Sequence, residues 1–422
     1  MQDNQIETYL KIENNPDLVG RISITPIKNV FNSEIDIIFA ESKKIFYHVG
    51  DLFGYKEYQD CLTTSIQNMS QFLLSKKESN LLFSPFHSPK LQLKNRWVMA
   101  PMTRSKSPNG VPTEDVLRYY QSRAKHECGL IITEGVEVEH QWASGYPDVP
   151  HMYGSESLKM WKKIVSSVHE YGAKIVPQIW HVGCINKEKK LPIDYSLEEI
   201  CKVQNAYVQA AKNAKECGFD GIEIHGAHGY LIDQFFYSKT NQRTDHYNGS
   251  IFNRTRFACE IIQKIKEALG EDFLIILRFS QWKIDDYEAK MLTSYEELKE
   301  FLIPLEDAGV DIFHASNRKF WSCEFPDRDP KRNLSSYVKE ITQLPVITVG
   351  SFLYFTENTN VENECEEQLK LAQKLLEEKG ADLFAVGRAF LGEPCLIEKI
   401  KNKQFSSIKP YTKEVLKELL FS

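Results

Sequence analysis

Eight short apolar runs, separated by longer amphipathic stretches, fill the chain from about residue 96 onward. The runs cover residues 96–102, 129–136, 173–180, 219–225, 273–280, 311–316, 345–351 and 381–388. Nearly continuous apolar runs are typical of strands that are buried on both faces of a parallel sheet. Helical patterns lie between them, the clearest at 157–170, 200–216, 254–269, 295–308 and 364–379. Several of these patterns are followed by a glycine, which commonly ends a helix.

Eight consecutive strand–helix units predict an α/β fold, a (β/α)8 TIM barrel in which the strands close on themselves. The alternative is a doubly wound open sheet, which has the same alternation of elements. The number of units favours closure. In addition, no Gly-x-Gly-x-x-Gly stands at any strand-to-helix turn, as a dinucleotide-binding open sheet would require.

Residues 1–80 do not share this rhythm and form a separate predicted unit. They hold 8 Lys and Arg against 11 Asp and Glu, which is half of the chain's net charge of −6. Strand-like pieces at 18–25, 35–40 and 44–49, and a helix-like piece at 55–74, predict a small α+β extension. We therefore expect an appendage at 1–80 and a barrel at 81–422. The appendage is either a packing or docking extension or an independent binding module, and a protein partner could bind through it.

Composition excludes several classes of protein. The net charge of −6 argues against nucleic-acid binding. Nine cysteines without a CxxC or CxxxC pair argue against a disulfide scaffold, a zinc ribbon and a cysteine-ligated iron–sulfur cluster. The N-terminus lacks the pattern of a signal peptide, and no apolar stretch approaches the roughly 18 residues of a membrane span. These features predict a cytoplasmic protein without a membrane segment.

A candidate phosphate site follows the last two predicted strands. Active sites of such barrels lie at the C-terminal ends of the strands, and phosphate often binds after strands seven and eight. Gly350-Ser351 and Gly387-Arg388 stand at these two places. Glycine allows a close backbone approach and arginine adds a bidentate partner for an anion. A turn glycine beside a surface arginine is the structural alternative.

The sharpest local signal is His225-x-x-His228-x-Tyr230, after the fourth strand. Two imidazoles can donate hydrogen bonds to one carbonyl oxygen and so stabilise negative charge that develops there. A tyrosine keeps its proton at neutral pH and can act as an acid. Two satisfied loop histidines beside a packing tyrosine would explain the pattern equally simply. A metal site with His181 as third ligand is weaker, since no nearby carboxylate or cysteine completes a usual set.

Two further polar residues lie on otherwise apolar strands. Arg278 ends a buried strand, so its guanidinium needs an anionic partner, either a ligand or a salt bridge. Gln178 offers a donor and an acceptor together, which suits the edge of a pyrimidine ring. Thr103, after the first strand, offers one hydroxyl.

Taken together, these motifs make residues 82 to about 405 similar to the old yellow enzyme family of flavin-dependent ene-reductases. The resemblance is carried by residues 93–96, 99–104, 178–181, 218–245, 349–351 and 386–388. It implies an oxidoreductase with bound FMN. NAD(P)H would reduce the flavin and leave, and an α,β-unsaturated carbonyl compound would then take its place in the same pocket and have its C=C bond reduced.

The resemblance also implies a role for each residue. Those implied to bind FMN are Pro101, Met102, Thr103, Gly135, Gln178, Arg278, Gly350, Ser351, Gly387 and Arg388. His225 and His228 would hold the substrate carbonyl, and Tyr230 would protonate the α-carbon. Trp180 is a candidate wall of the substrate pocket, and so are Tyr287, Phe320 and Trp321.

Two positions depart from the family pattern. Asn248 replaces a glycine in the loop at 247–250, and Leu353 replaces a glycine near the phosphate site, so the local backbone there is in question. Two alternative functions remain at this point. One is an FMN-binding barrel that serves as a non-catalytic or partner-docked module, and the other is a flavin-free, phosphate-binding isomerase or aldolase.

Overall fold

The computed structural model describes residues 6–11, 19–26, 33–39, 44–49 and 81–421, except residues 187 and 358. The chain divides into two compact units, Met1–Ser79 and Asn80–Ser422.

The first unit contains an antiparallel sheet of four strands in the order β1-β2-β3-β4. The strands are β1 (Ile6–Lys11), β2 (Val19–Pro26), β3 (Ser33–Phe39) and β4 (Lys44–Val49). The last three coincide with the predicted strands. The first was missed because a single six-residue run with alternating polar residues carries little signal. The predicted helix at 55–74 lies outside the described residues.

The second unit is a closed barrel of eight parallel strands, each beside its neighbour in the chain, with the last paired to the first. A two-stranded hairpin precedes it, formed by β5 (Phe86–His87) and β6 (Gln92–Leu93). The barrel strands are β7 (Trp97–Met99), β8 (Leu130–Glu137), β9 (Lys174–Trp180), β10 (Ile222–His228), β11 (Ile275–Lys283), β12 (Ile312–Ser316), β13 (Val346–Val349) and β14 (Leu383–Val386). The predicted (β/α)8 barrel is confirmed, and the open sheet is wrong.

Helices follow the strands on the outside of the barrel. They are α1 (Glu114–Lys125), α2 (Ser155–His169), α3 (Leu197–Cys217), α4 (Leu231–Phe236), α5 (Ile251–Leu269), α6 (Tyr295–Asp307), α7 (Leu334–Thr342), α8 (Val361–Glu377), α9 (Ala389–Gly392) and α10 (Leu396–Lys401). Several begin a few residues before the predicted start, because a polar side chain there accepts a hydrogen bond from the first turn. Ser196, Ser250 and Asn360 do so for α3, α5 and α8.

Side chains alternate between two apolar clusters along the barrel strands. Val98, Leu130 and Ile132 belong to the inner cluster, which the hairpin residues Phe86 and Leu93 join at the N-terminal end of the barrel. The intervening side chains belong to the layer under the helices. With that end filled, the polar residues that follow the strands are left around the opposite end. None of the helices within the described ranges is long and apolar enough to cross a bilayer.

Candidate active site

A cavity of about 320 Å³ lies at the C-terminal ends of the barrel strands. Its volume is within the range of small-molecule sites. The predicted site residues that line it are Pro101, Met102, Thr103, Gln178, Trp180, His225, His228, Tyr230, Arg278, Ser351, Gly387 and Arg388. Predicted residues from six different strand ends therefore meet around one space.

Two predicted glycines lie behind the wall rather than on it. A Cβ on Gly135 would come within 2.3 Å of the Trp180 ring, so this glycine makes room for the indole. Gly350 has a φ of 149°, and a Cβ there would lie 2.5 Å from the Asn317 carbonyl oxygen. A Cβ at either position would therefore collide with its neighbour, so both positions favour glycine.

The histidine wall is built by an irregularity in β10. The pairing register with β11 shifts between Gly226 and His228, and His228 takes a left-handed φ of 65°. Its amide donates to the Ser280 hydroxyl at 2.9 Å, and its Nε2 lies 2.8 Å from the Ser316 hydroxyl. The shift turns His228 toward the same cavity as His225, and the two ring centres are 5.2 Å apart.

Burial sets the protonation state of both imidazoles. Desolvation first, and the nearby Arg278 charge second, hold the pKa of His225 and the pKa of His228 well below their usual value. Both are therefore neutral at physiological pH. The Nδ1 of His225 is buried without a hydrogen-bond partner among the described residues, so it is available to a ligand.

Tyr230 lies beside this pair, immediately before α4. Its ring centre is 5.0 Å from that of His225 and 4.9 Å from that of Trp180, which the ring meets edge-on. Its hydroxyl lies 3.1 Å from the Tyr146 hydroxyl. Burial raises the pKa of Tyr230 above its usual value, so the phenol keeps its proton.

A polar network lies at the floor of the cavity: Gln178 and Arg278 line the cavity, and the buried side chains of Glu223 and His314 lie behind them. One Glu223 oxygen accepts from the Gln178 amide at 2.8 Å, and the other lies 2.6 Å from His314 Nδ1. Because a carboxylate only accepts, the Gln178 NH₂ must face Glu223, which leaves the Gln178 carbonyl oxygen as the free acceptor.

Arg278 carries the positive charge of this floor. It donates to the Ser316 hydroxyl at 3.3 Å, while its Nε is buried without a partner in the described part of the chain. Desolvation lowers the pKa of Arg278, and the Glu223 charge counteracts this. A buried guanidinium with a spare donor fits an electron-rich ligand edge.

The opposite end of the cavity suits an anion. Arg388 reaches the Ser351 hydroxyl at 3.4 Å, and its guanidinium lies 3.5 Å from the centre of the Tyr354 ring. Arg388 is exposed, so its remaining donors face solvent. Leu353, the departure noted above, has a φ of 54°, and its amide donates to the Gln368 side chain at 2.6 Å. The chain therefore keeps a left-handed turn here without the glycine.

At the second departure from the family pattern, Asn248, the turn is formed in a different way. Asn248 does not have a positive φ, and its side chain donates to the Arg243 carbonyl at 2.7 Å. The neighbouring Gly249 supplies the left-handed residue of the turn, with a φ of 100°.

Several lining residues were missed from the sequence. Trp282, Ser316, Asn317, Arg318 and Tyr354 line the cavity. Ser316 ends the sixth strand, the one strand for which no candidate was named, and its position alone could have indicated it. The candidate walls Tyr287, Phe320 and Trp321 are not among the lining residues. Phe320 is buried and packs against Phe352 and Phe384.

The metal alternative finds no support in the geometry. His181 Nε2 lies 3.0 Å from His140 Nδ1, not beside the other two histidines. The described residues contain no cluster of three His, Cys, Asp or Glu side chains that could hold a metal ion.

The remaining features fit FMN. Open donors for an anion lie at one end of the cavity, with an amide acceptor and a guanidinium donor on its floor. Unpartnered His225 Nδ1 and Arg278 Nε atoms point to a polar ligand.

Comparison with known proteins places these features in a family. The sequence profile of the NADH:flavin oxidoreductase / NADH oxidase family matches residues 81–196 and 185–406. A NADH oxidase from Thermoanaerobacter brockii is 33% identical over 78% of this chain, and the chain spans 52% of that protein's length. A 12-oxophytodienoate reductase 7 from Oryza sativa is 31% identical over 76% of this chain and 87% of the relative.

Solved structures agree with the sequence match. An old yellow enzyme from a Pichia species superimposes with a TM-score of 0.67 at 26% identity, covering 81% of this chain and 91% of the other. The predicted family is confirmed. On the profile match, the two relatives and the barrel, this chain belongs to the NADH:flavin oxidoreductase / NADH oxidase family, the family of the old yellow enzymes.

Proposed function

We propose that this chain is an FMN-dependent reductase that uses NAD(P)H to reduce the C=C bond of α,β-unsaturated carbonyl compounds. The observation that carries the proposal is the meeting of His225, His228 and Tyr230 on one cavity whose far end holds Ser351 and Arg388. Relatives named 12-oxophytodienoate reductase and NADH oxidase support the same class of reaction.

The residues that would hold FMN are divided between the two ends of the cavity. Ser351, Gly387 and Arg388 would bind the phosphate, with Gly350 shaping the turn. Gln178, Arg278, and Pro101 to Thr103 would contact the ring. When bound, FMN supplies the hydride that reduces the β-carbon, and the protein supplies orientation and electrostatics.

His225 and His228 would bind the substrate carbonyl. Because burial keeps both rings neutral, each can donate only one N–H, and the partner of its other nitrogen selects which one. Donors aimed at the carbonyl oxygen stabilise the enolate-like charge that develops on it.

Tyr230 would provide the proton that the α-carbon needs. Its raised pKa keeps the phenol protonated, and the Tyr146 hydroxyl at 3.1 Å can donate to its oxygen as the proton leaves. Trp180, edge-on to Tyr230, would exclude water from this wall.

The experiment separates the two halves of the reaction. The purified protein is reconstituted with FMN and mixed anaerobically with NADPH or NADH, and cyclohexenone is then added. We expect the visible flavin bands to bleach with the nucleotide and return with the enone. A protein that binds no flavin would contradict the proposal. Flavin binding without reduction of any enone in a substrate panel would favour the non-catalytic module.

A further inference from the structure

Arg318 lies at the mouth of the cavity, just after β12. It is exposed and lines the same space as the histidines, and no role has yet been given to it. Its main chain and its side chain serve different ends of the site.

The backbone of Arg318 belongs to the phosphate end, where its carbonyl oxygen accepts from the Ser351 hydroxyl at 2.9 Å. The side chain extends away from there. Its guanidinium lies 3.9 Å from the centre of the Tyr287 ring and 5.2 Å from that of Trp282. The charge is therefore held against two aromatic rings.

Trp282 connects this charge to the histidine wall. Its ring stacks on His228 with centres 4.3 Å apart, and its Nε1 donates to the Ser316 carbonyl at 3.2 Å. The indole is thus fixed in place, and only this one ring separates the Arg318 guanidinium from the His228 imidazole.

The guanidinium of Arg318 has no carboxylate partner and no side-chain hydrogen bond among the described residues. The two other cavity arginines differ, since Arg278 donates to Ser316 and Arg388 to Ser351. A guanidinium that stacks on aromatic rings keeps its in-plane N–H donors free, and these match the geometry of a carboxylate or phosphate.

We propose that Arg318 binds an anionic group of the ligand and gives the enzyme a preference for unsaturated carbonyl substrates that carry a carboxylate or phosphate. The inference rests on the proposed function and narrows its substrate class. The same chemistry has a second source, because under the proposed function the phosphates of the nicotinamide nucleotide would approach the same cavity.

The test compares matched acids and esters. The enone 3-oxocyclohex-1-ene-1-carboxylate and its methyl ester are reduced by the wild type and by Arg318→Gln, both loaded with FMN. We expect kcat/KM for the acid to fall about tenfold in the variant. The ester should change less than twofold, because it lacks the negative charge that the guanidinium would bind.

A second readout does not depend on turnover. Equilibrium binding of the saturated 3-oxocyclohexane-1-carboxylate and of its methyl ester is followed by tryptophan fluorescence, and the same acid-specific loss is expected. If the wild type reduced neither enone, the proposed function would fail while this titration still decided the role of Arg318.

Arg328→Gln is the matched control. Its guanidinium also stacks on a tyrosine, 3.7 Å from the centre of the Tyr295 ring, but Arg328 does not line the cavity. It should leave the ratio of acid to ester unchanged.

Two results decide whether the bound anion belongs to the substrate or to the nicotinamide nucleotide, and two other results overturn the inference. An acid-specific loss assigns the anion to the substrate. A slower reduction of FMN by NADPH, with an unchanged ratio of acid to ester, assigns it to the nucleotide. The inference is overturned if Arg318→Gln alters neither, or if acid, ester and NADPH all lose equally, as the loss of a purely structural stack would cause.

Discussion

The floor and the rim of the cavity differ in how far their polar groups are buried. The floor, defined by Gln178, Glu223, Arg278 and His314, is buried, and most of its polar groups bond to each other or to Ser316. The rim, defined by Arg318, Ser351, Tyr354 and Arg388, holds its two arginines in exposed positions against aromatic rings.

The floor is organised before a ligand binds, whereas the rim binds an anion when one arrives. Buried polar groups are costly unless they are paired, so the floor must be complete before a ligand arrives. An exposed arginine remains hydrated, so leaving it without a partner costs little free energy and its donors stay open to an anion. Changes in the floor should therefore affect folding and orientation, whereas changes in the rim should affect ligand affinity alone.

Glu223→Ala should have the largest effect. It removes the acceptor of Gln178 and His314 and the charge that faces Arg278, so we expect a loss of about 3–5 kcal/mol in the free energy of unfolding. Urea denaturation measures it. Glu114→Ala, which breaks the exposed pair with Lys163, is the control and should cost less than about 1 kcal/mol. Equal losses in the two variants would remove the distinction between buried and exposed ion pairs.

Tyr230→Phe should slow enone reduction on the order of a hundredfold, because it removes the proton donor. The rate at which NADPH reduces the bound FMN should stay within about twofold, as stopped-flow absorbance can show. Tyr207→Phe removes another buried hydroxyl, outside the cavity, and should leave both rates unchanged. Equal slowing of both half-reactions in Tyr230→Phe would argue that Tyr230 only shapes the pocket.

Arg388→Gln should weaken FMN binding about tenfold while the unfolding of the flavin-free protein stays the same. Riboflavin, which lacks the phosphate, should bind wild type and variant alike. Fluorescence titration of both flavins measures this difference. If riboflavin lost as much affinity as FMN, Arg388 would not be a phosphate ligand.

A change in pH should test the buried histidine wall, with a smaller expected effect. Because burial holds the pKa of His228 below its unfolded value of about 6.5, the unfolded state binds an extra proton below that pH. Stability is therefore full above about 6.5 and falls below it, by about 1.4 kcal/mol per pH unit for each such histidine, until the folded pKa is reached.

His228→Asn should reduce the dependence of the unfolding free energy on pH by the contribution of one histidine. Urea unfolding at pH 7.5, 6.5 and 5.5 in wild type and variant gives the comparison. Identical slopes would show that His228 is protonated in the folded protein.

The sequence predicted the barrel and most of the wall, because both depend on local patterns. Eight apolar runs indicated eight strands, and the C-terminal ends of the strands supplied His225, Tyr230, Arg278 and Arg388. Each of these polar or charged residues is unusual at the end of an apolar strand, which is why one sequence was enough to identify them as candidates.

The partners of these residues could not be predicted. Glu223 and His314 lie inside apolar strands, and their burial is explained only by the hydrogen bond between them across the barrel. Trp282 lies near the end of β11 and Arg318 just after β12, and their stacking depends on how these two segments meet. At Gly135 an added Cβ would meet the Trp180 ring, a contact that spacing along the chain does not reveal.

The central claim is that this cavity holds one flavin, with its phosphate at the rim and its ring over the floor. Equilibrium dialysis of the purified protein against FMN, read by visible absorbance, tests it most directly. We expect one FMN per chain, retained more tightly than riboflavin. A protein that stays colourless after reconstitution, or that binds both flavins equally weakly, would contradict it.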